Sequence, residues 1–142
     1  MSLKLWHCAG SRSVRPLWTM EEMGLDYELE VMQFPPRFLH PGYAEINPIG
    51  TVPYFVDDKD GPDNIIQMTE SAGISQYLVD RYGPSTLAVE PIEVGYGGYL
   101  NWLHRSDATL TFPQTLVLRY TLLEPEATRL PKVAEDLSLI HI

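Results

Sequence analysis

The first part of the chain alternates between strand-like and helix-like spacing of its hydrophobic residues. Segments 3–7 and 27–32 place apolar side chains at every second position, which is the period of a β-strand. Between these segments, apolar residues recur at helical spacing from Val14 onward, and Gly24 ends the helix. A crossover helix lays its two flanking strands parallel. The pattern therefore predicts a βαβ unit.

A second group of elements follows a proline break. Pro35 and Pro36 end the second strand, and residues 37–46 read as a loop with one helical turn. The elements predicted next are two strands joined by a polar turn and then a helix, at 54–56, 65–68 and about 70–82. The order βαβ, loop, ββα predicts an α/β domain with a mixed four-stranded sheet over residues 1–82.

The remaining residues show a different pattern. Residues 83–90 are rich in helix breakers and read as a linker, and 91–142 show mainly helical spacing of leucine and tyrosine. We expect one long helix from Trp102 to Glu124, kinked near Pro113, and the start of another at 132–136. Glycines at 95, 97 and 98 indicate that the first helix starts late or that another helix packs closely there.

Composition narrows the classes of partner. The 142 residues carry a net charge of -9, which argues against nucleic acids and anionic membranes and leaves small molecules or other proteins. The single cysteine, Cys8, excludes an internal disulfide, and no Cys/His cluster has metal-ligand spacing. No apolar run approaches the roughly 20 residues that span a bilayer, and the first residues lack a secretory signal. We therefore expect a cytoplasmic protein without a bound metal.

The stretch 47–57 carries the most distinctive local chemistry. Pro53 precedes an apolar run and belongs at a strand entrance, since proline cannot donate to a sheet. The Val52–Pro53 bond has a modest cis penalty of roughly 0.5 to 1 kcal/mol. A cis bond would turn the Val52 amide and carbonyl outward, where they can pair with an extended peptide. The local alternative is a trans proline that caps the strand.

Together with three other motifs, this stretch resembles the cytosolic glutathione transferases, in particular serine-type, bacterial-like members. The four motifs are residues 11–15 before the first helix, 21–28 at its end, 47–53, and Thr69-Glu70-Ser71. The resemblance covers the first 90 residues well and the remainder more loosely. It implies a thioredoxin-like N-terminal domain, a linker and an all-helical C-terminal domain.

The resemblance also implies a glutathione site. The Val52–Pro53 bond is expected to be cis, with the Val52 backbone paired to the cysteinyl part of glutathione. Glu70 can accept the ammonium of the γ-glutamyl end, while the Ser71 hydroxyl and free helix N–H groups can hold its carboxylate. The structural alternatives are a solvated acid for Glu70 and a plain N-cap for Ser71.

A hydroxyl donor for the glutathione thiol is implied as well. Serine-type members place it four residues before the helix arginine, and counting back from Arg15 gives Ser11. Ser13 is the alternative, because it lies nearer the helix and suits its N-cap. A thiol pKa of about 8.5 must fall by roughly 1.5 to 2 units, and one hydrogen bond to a charged group, worth about 1.5 to 3 kcal/mol, is sufficient.

Other polar residues near these motifs have less definite roles. Cys8 reads as a buried small hydrophobe, with glutathione-dependent disulfide exchange as the alternative. We interpret His7 as a half-buried strand residue. Many relatives carry lysine where this chain has Thr51, so the glycine carboxylate of glutathione requires another cation, for which Arg37 or His40 is the candidate.

Taken together, these features predict a glutathione transferase that joins the activated thiolate to a small electrophile. The helical region reads as truncated, and residues 137–142 resemble translated sequencing-adapter sequence. We expect the intact parent to be a homodimer and the apolar face around Leu100 to be partly exposed here. The alternative in another class is a non-catalytic binding or assembly module of the same fold.

Overall fold

The computed structural model describes residues 2–138. The chain divides into two compact units, Met1–Ala88 and Val89–Ile142. The first unit is an α/β domain and the second is helical.

A mixed four-stranded sheet forms the centre of the first unit. Its strands are β1 (Leu3–Cys8), β2 (Glu28–Met32), β3 (Tyr54–Asp57) and β4 (Ile66–Met68), in the order β2-β1-β3-β4. β1 is parallel to β2 and antiparallel to β3, and β3 is antiparallel to β4. The helices are α1 (Val14–Glu22), α2 (Pro36–Leu39), α3 (Tyr43–Ile46) and α4 (Ser71–Tyr82). The predicted α/β class, βαβ-ββα order and mixed sheet are confirmed.

Each face of the sheet has its own hydrophobic cluster. Leu3 and Leu5 point to one face, where they pack with Phe55 and with buried residues of α1 and α4, namely Met20, Ile74 and Leu78. Trp6 and Cys8, at the alternate positions of β1, point to the other face, with Met32, Tyr43, Val52 and Tyr54. Because side chains alternate along a strand, β1 contributes to both clusters and lies at the centre of the unit.

The segment between β2 and β3 contains more helix than the sequence predicted. Instead of a loop with one turn, it forms the two short helices α2 and α3. Pro36 stands at the start of α2, where its missing N–H costs no hydrogen bond. Gly42 precedes α3 with a φ of 86°, a left-handed conformation that favours glycine. These residues separate the segment into two turns of helix.

The helical unit contains the predicted long helix as one unbroken run, but the run begins earlier, at Tyr96, ends at Leu123 and includes two π-helical segments. Its elements are α5 (Tyr96–Arg105), a π-helix (Ser106–Thr111), α6 (Phe112–Leu118), a second π-helix (Arg119–Leu123), a 3-10 turn (Glu126–Thr128) and α7 (Pro131–Ser138). Pro113 lies in the first turn of α6 and cannot donate a hydrogen bond to the preceding turn. The wider π turns immediately before α6 accommodate that missing donor.

The late helix start that the glycine-rich segment indicated is not observed. α5 begins at Tyr96, so Gly97 and Gly98 lie in its first turn. A Cβ placed on either glycine would meet no atom within 4 Å among the described residues, so close helix packing does not account for them. The expected apolar face, Leu100, Leu103, Leu110 and Leu116, is half-buried.

The remaining sequence expectations concern residues 137–142, membrane-spanning helices and metal sites. Of the suspected adapter-like residues 137–142, Leu137 and Ser138 close α7, and 139–142 lie outside the described residues. No helix within residues 2–138 has both the length and the apolar character needed to cross a membrane. In the same part of the chain, no group of His, Cys, Asp and Glu side chains has the arrangement of a metal site.

Candidate functional site

The strand registers bring the motifs of the first unit to one end of the sheet. Trp6 pairs with Tyr54, and two residues farther along the antiparallel strands stand Cys8 and Val52. Phe55 pairs with Met68, and two residues beyond that pair stand Pro53 and Glu70. The turn after β1, the loop before β3 and the start of α4 therefore meet at the same end of the sheet.

The turn between β1 and α1 holds both candidate hydroxyl groups. Ser11 Oγ lies 2.8 Å from the Cys8 carbonyl oxygen and 2.6 Å from Ser13 Oγ. Ser13 is fully buried, whereas Ser11 is half-buried. Of the two hydroxyls, that of Ser11 is therefore the one accessible to a ligand at this end of the sheet.

Ser13 does not act as the N-cap expected from its position. It precedes α1 but has helical backbone angles and makes no side-chain capping bond. Its Oγ instead accepts a hydrogen bond from the Cys8 N–H at 3.2 Å and lies 2.8 Å from His7 Nδ1. The side chain thus turns away from the helix and joins the turn to the end of β1.

His7 is a member of this cluster that the sequence interpretation left without a role. Burial lowers the pKa of His7, and a hydrogen bond to the Ser13 backbone opposes that effect in part. The alternation of β1 places His7 on the same face as Leu3 and Leu5, toward α1. The alternation along β1 could have predicted the face on which His7 lies. It does not reveal the contact of His7 with a serine in the following turn.

The loop before β3 adopts the predicted cis bond at Val52–Pro53. Two buried side chains that sequence reasoning missed brace it: Tyr43 Oη donates to the Thr51 carbonyl oxygen at 2.7 Å, and Asn47 Nδ2 donates to the same oxygen at 2.9 Å. Asn47 Oδ1 accepts from the Ile49 N–H at 3.2 Å. The Thr51 carbonyl is thereby directed inward, and the backbone on both sides of Val52 is held in place.

The two candidate cations near this loop differ in their surroundings. Arg37 donates to the Ile49 carbonyl oxygen, and its side chain lies over Gly50. A Cβ on Gly50 would stand 2.7 Å from Arg37 Nε, so glycine permits this approach. His40 Nε2 accepts a hydrogen bond from the Gln33 N–H at 2.9 Å, which requires an unprotonated nitrogen. Arg37 therefore supplies positive charge beside the loop, whereas His40 Nε2 is already engaged by the Gln33 N–H.

The start of α4 is linked to α1 through a side-chain contact. Glu70 occupies the N-cap position and is exposed, and Ser71 is the first residue of the helix. Ser71 therefore stands inside the helix rather than at the N-cap position, and its Oγ accepts from Arg15 Nη1 at 3.2 Å. A guanidinium therefore stands beside the N-terminal N–H groups of α4, and both favour an anion.

Cys8 has the environment of a structural residue. Its side chain is fully buried and its Sγ donates to the Gln33 carbonyl oxygen at 3.6 Å. Burial raises the pKa of the thiol, which disfavours the nucleophilic thiolate. The interpretation of Cys8 as a small hydrophobe therefore accounts for its surroundings.

Comparison with known proteins identifies the first unit. The family model described as "Glutathione S-transferase, N-terminal domain" matches residues 1–80. Glutathione S-transferase 3 of Schizosaccharomyces pombe is 35% identical over 106 residues, covering 75% of this chain and 41% of that protein. The glutathione S-transferase-like protein gedE of Aspergillus terreus is 34% identical over 82 residues, covering 58% and 34%. The chain thus spans less than half the length of these relatives.

Solved structures of similar fold agree with the family match. A glutathione transferase homolog from Lodderomyces elongisporus, with two GSH per subunit, has a TM-score of 0.79 at 19% identity and covers 99% of this chain and 65% of that one. The transferase URE2P6 from Phanerochaete chrysosporium, in complex with oxidized glutathione, has a TM-score of 0.77 at 26% identity, covering 98% and 62%. With its family model covering more than half of its length, the chain belongs to the glutathione S-transferase family through a thioredoxin-like N-terminal domain.

Proposed function

We propose that this protein binds reduced glutathione at the end of the sheet where the β1–α1 turn, the Val52–Pro53 loop and the start of α4 meet. In this proposal it activates the thiol as a thiolate and joins it to a small electrophile. The observation that carries the proposal is the half-buried Ser11 hydroxyl at this end of the sheet, in a domain of the glutathione S-transferase family. The relative URE2P6, at 26% identity, is known with oxidized glutathione, which supports a glutathione-binding site here.

The γ-glutamyl end of glutathione belongs at the start of α4. Its ammonium pairs with the exposed Glu70 carboxylate. Its carboxylate is held by the N–H groups of the first helical turn and by Ser71, and Arg15, whose Nη1 lies 3.2 Å from Ser71 Oγ, adds positive charge. In this placement, each charged group of the γ-glutamyl end faces protein groups that attract its charge.

The cysteinyl and glycyl parts follow along the loop. The Val52 backbone pairs with the cysteinyl amide, as an added strand would. The glycine carboxylate lies toward Thr51 and takes Arg37 as its cation, since His40 Nε2 is already engaged by the Gln33 N–H. The sulfur then falls at the β1–α1 turn, within reach of the Ser11 hydroxyl.

Ser11 supplies the activation in this proposal. A hydrogen bond from its hydroxyl stabilises the thiolate by about 1.5 to 3 kcal/mol, equivalent to a fall of roughly 1 to 2 units in the thiol pKa. The positive end of the α1 dipole adds about 0.3 to 1 kcal/mol. Together these interactions place the thiol pKa near neutrality, where a soft electrophile can be attacked. The electrophile itself, the homodimer expected for the parent protein and a cytoplasmic setting are further parts of the proposal.

Calorimetric titration with reduced glutathione tests this site. Glu70→Ala removes the partner of the ammonium, and we expect at least a tenfold loss of affinity, as for a charged hydrogen bond worth about 1.5 to 3 kcal/mol. The matched control is Glu30→Ala, which removes an exposed acid on β2. Equal affinities in the wild type and Glu70→Ala would contradict the placement. Glutathione bound without any thiolate absorbance would favour the non-catalytic module.

A further inference from the structure

His7 takes no part in the proposed chemistry, yet it ends a chain of hydrogen bonds that reaches Ser11. His7 Nδ1 lies 2.8 Å from Ser13 Oγ, and Ser13 Oγ lies 2.6 Å from Ser11 Oγ. Ser13 is fully buried, so no solvent competes for its hydroxyl. The chain therefore links the half-buried imidazole to the hydroxyl at the candidate site.

The number of protons limits how this chain can be arranged. Two oxygens 2.6 Å apart require one hydrogen between them, from Ser11 or from Ser13. If Ser11 supplies it, Ser11 has no proton left for a thiolate. If Ser13 supplies it, Ser13 cannot also donate to His7, and His7 Nδ1 must carry a proton and donate to Ser13. Only the second arrangement leaves the Ser11 proton available to an acceptor other than Ser13, which is the Cys8 carbonyl oxygen at 2.8 Å in this structure.

We propose that His7 is a positioning residue: as the tautomer protonated on Nδ1, it directs the hydroxyls of Ser13 and Ser11 toward the glutathione sulfur. This inference rests on the proposed function. No proton is transferred in it. The imidazole N–H, the Ser13 O–H and the Ser11 O–H each donate to the next group, and the thiolate accepts the last hydrogen bond.

Backbone contacts around the two serines favour this direction. The Cys8 N–H donates to Ser13 Oγ at 3.2 Å, and the Ser13 N–H donates to Ser11 Oγ at 3.3 Å. When the Ser11 hydroxyl turns from the Cys8 carbonyl to a ligand, that carbonyl keeps the Ser11 N–H, 3.3 Å away. Burial lowers the pKa of His7 and so favours the neutral imidazole, which has a single N–H to place. Aligned donors polarise one another and strengthen the terminal bond.

A double-mutant cycle on the glutathione complex tests the inference. The readout is the pKa of the bound thiol, followed by the ultraviolet absorbance of the thiolate. His7→Leu removes the donor, and we expect it to raise that pKa by roughly 0.3 to 0.6 of a pH unit, a two- to fourfold fall in the ratio of thiolate to thiol at a given pH. His7→Asn has nearly the shape of leucine and keeps an N–H at the Nδ1 position, so it should restore the wild-type value.

The cycle separates positioning from a structural role. In a Ser13→Ala background, His7→Leu should have no further effect, because the connection to Ser11 is already absent. An equal rise of the pKa in both backgrounds, or failure of His7→Asn to restore it, would overturn the inference. Circular dichroism of each variant identifies loss of the fold.

A second measurement requires no mutation. Nitrogen-15 spectra of the wild-type complex report which imidazole nitrogen of His7 carries the proton. Protonated Nδ1 is the expected result, and a tautomer protonated only on Nε2 would overturn the inference. If the wild type binds glutathione and forms the thiolate while either test fails, only the inference falls. If the wild type forms no thiolate, the proposed function falls and the inference with it.

Discussion

Two serines stand two positions apart in the turn after β1, and their exposures give them different expected roles. Ser11→Ala removes the hydroxyl that we assign to the thiolate. The pKa of the bound thiol should rise by roughly 1 to 2 units, as for loss of a hydrogen bond to a charged group, while the affinity for glutathione changes little. Ultraviolet titration of the complex measures the pKa. The fully buried Ser13 provides the comparison.

Ser13→Ala should raise the thiol pKa less than Ser11→Ala, because Ser13 acts through Ser11. It should also lower the stability of the fold, since it leaves the Cys8 N–H without its 3.2 Å acceptor. A full thiolate signal in Ser11→Ala together with its loss in Ser13→Ala would reverse the assignment. That result would make Ser13 the direct donor.

Arg37 and His40 lie in the same segment and differ as partners for the glycine carboxylate. Arg37→Ala should weaken glutathione binding by about fivefold, the effect of roughly 1 kcal/mol expected for an exposed ion pair. It should leave the affinity for γ-glutamylcysteine unchanged, since that ligand lacks the glycine. His40→Ala is the control and should alter neither affinity. An equal effect of Arg37→Ala on both ligands would exclude a contact with the glycine end.

At the level of elements, most strands and helices of the first unit follow from the sequence because hydrophobic spacing reports burial directly. The strands β1, β2 and β3 and the helix α4 were predicted to within a few residues for this reason. The π turns before α6 were not predicted, because they arise from the missing donor of Pro113 rather than from spacing. At the site, the family resemblance pointed to Glu70, whose charge suits the ammonium of the ligand. The Tyr43 brace and the His7 contact depend on tertiary packing that sequence spacing does not specify.

A buried carboxylate joins β3 to α4 and makes this junction sensitive to pH. Asp57 accepts hydrogen bonds from Tyr82, from Tyr77 at 2.7 Å and from the Lys59 N–H at 3.0 Å. Burial alone would raise the pKa of Asp57, but these donors outweigh it and hold the pKa below its usual 3.8. The ionised form therefore stabilises the fold above pH 3.8, and that contribution is lost as the pH falls below this value.

Hydrogen exchange of β3 and α4 amides across this pH range measures the effect. Protection in the wild type should fall as the pH drops below 3.8. Asp57→Asn should lower protection at neutral pH by about 1 to 3 kcal/mol, because a hydroxyl loses its acceptor, and should flatten the acid dependence. Asp63→Asn, in the exposed hairpin turn, is the control. An unchanged acid dependence in Asp57→Asn would assign it to other groups.

For the whole molecule, the distribution of apolar surface differs from that of an ordinary monomer. The unit Val89–Ile142 exposes many large hydrophobic side chains: Ile92, Val94, Trp102, Phe112, Leu118, Leu122, Leu123, Leu130 and Val133. Such a concentration of exposed apolar groups favours association, because covering them removes apolar area from water. We therefore expect the chain to bind a hydrophobic dye strongly and to self-associate as its concentration rises.

Sedimentation and dye fluorescence measure these two properties together. Phe112 is 60% exposed in the helical unit, and replacing it and Leu122 with serine should reduce both dye binding and association. Phe38, which is 77% exposed in the first unit, provides a matched control, and Phe38→Ser should leave association unchanged. A wild-type monomer without dye binding would contradict the prediction. If Phe38→Ser reduced association as much as the double replacement of Phe112 and Leu122, the first unit would have to contribute to the associating surface. The apolar side chains of the helical unit would then not account for association alone.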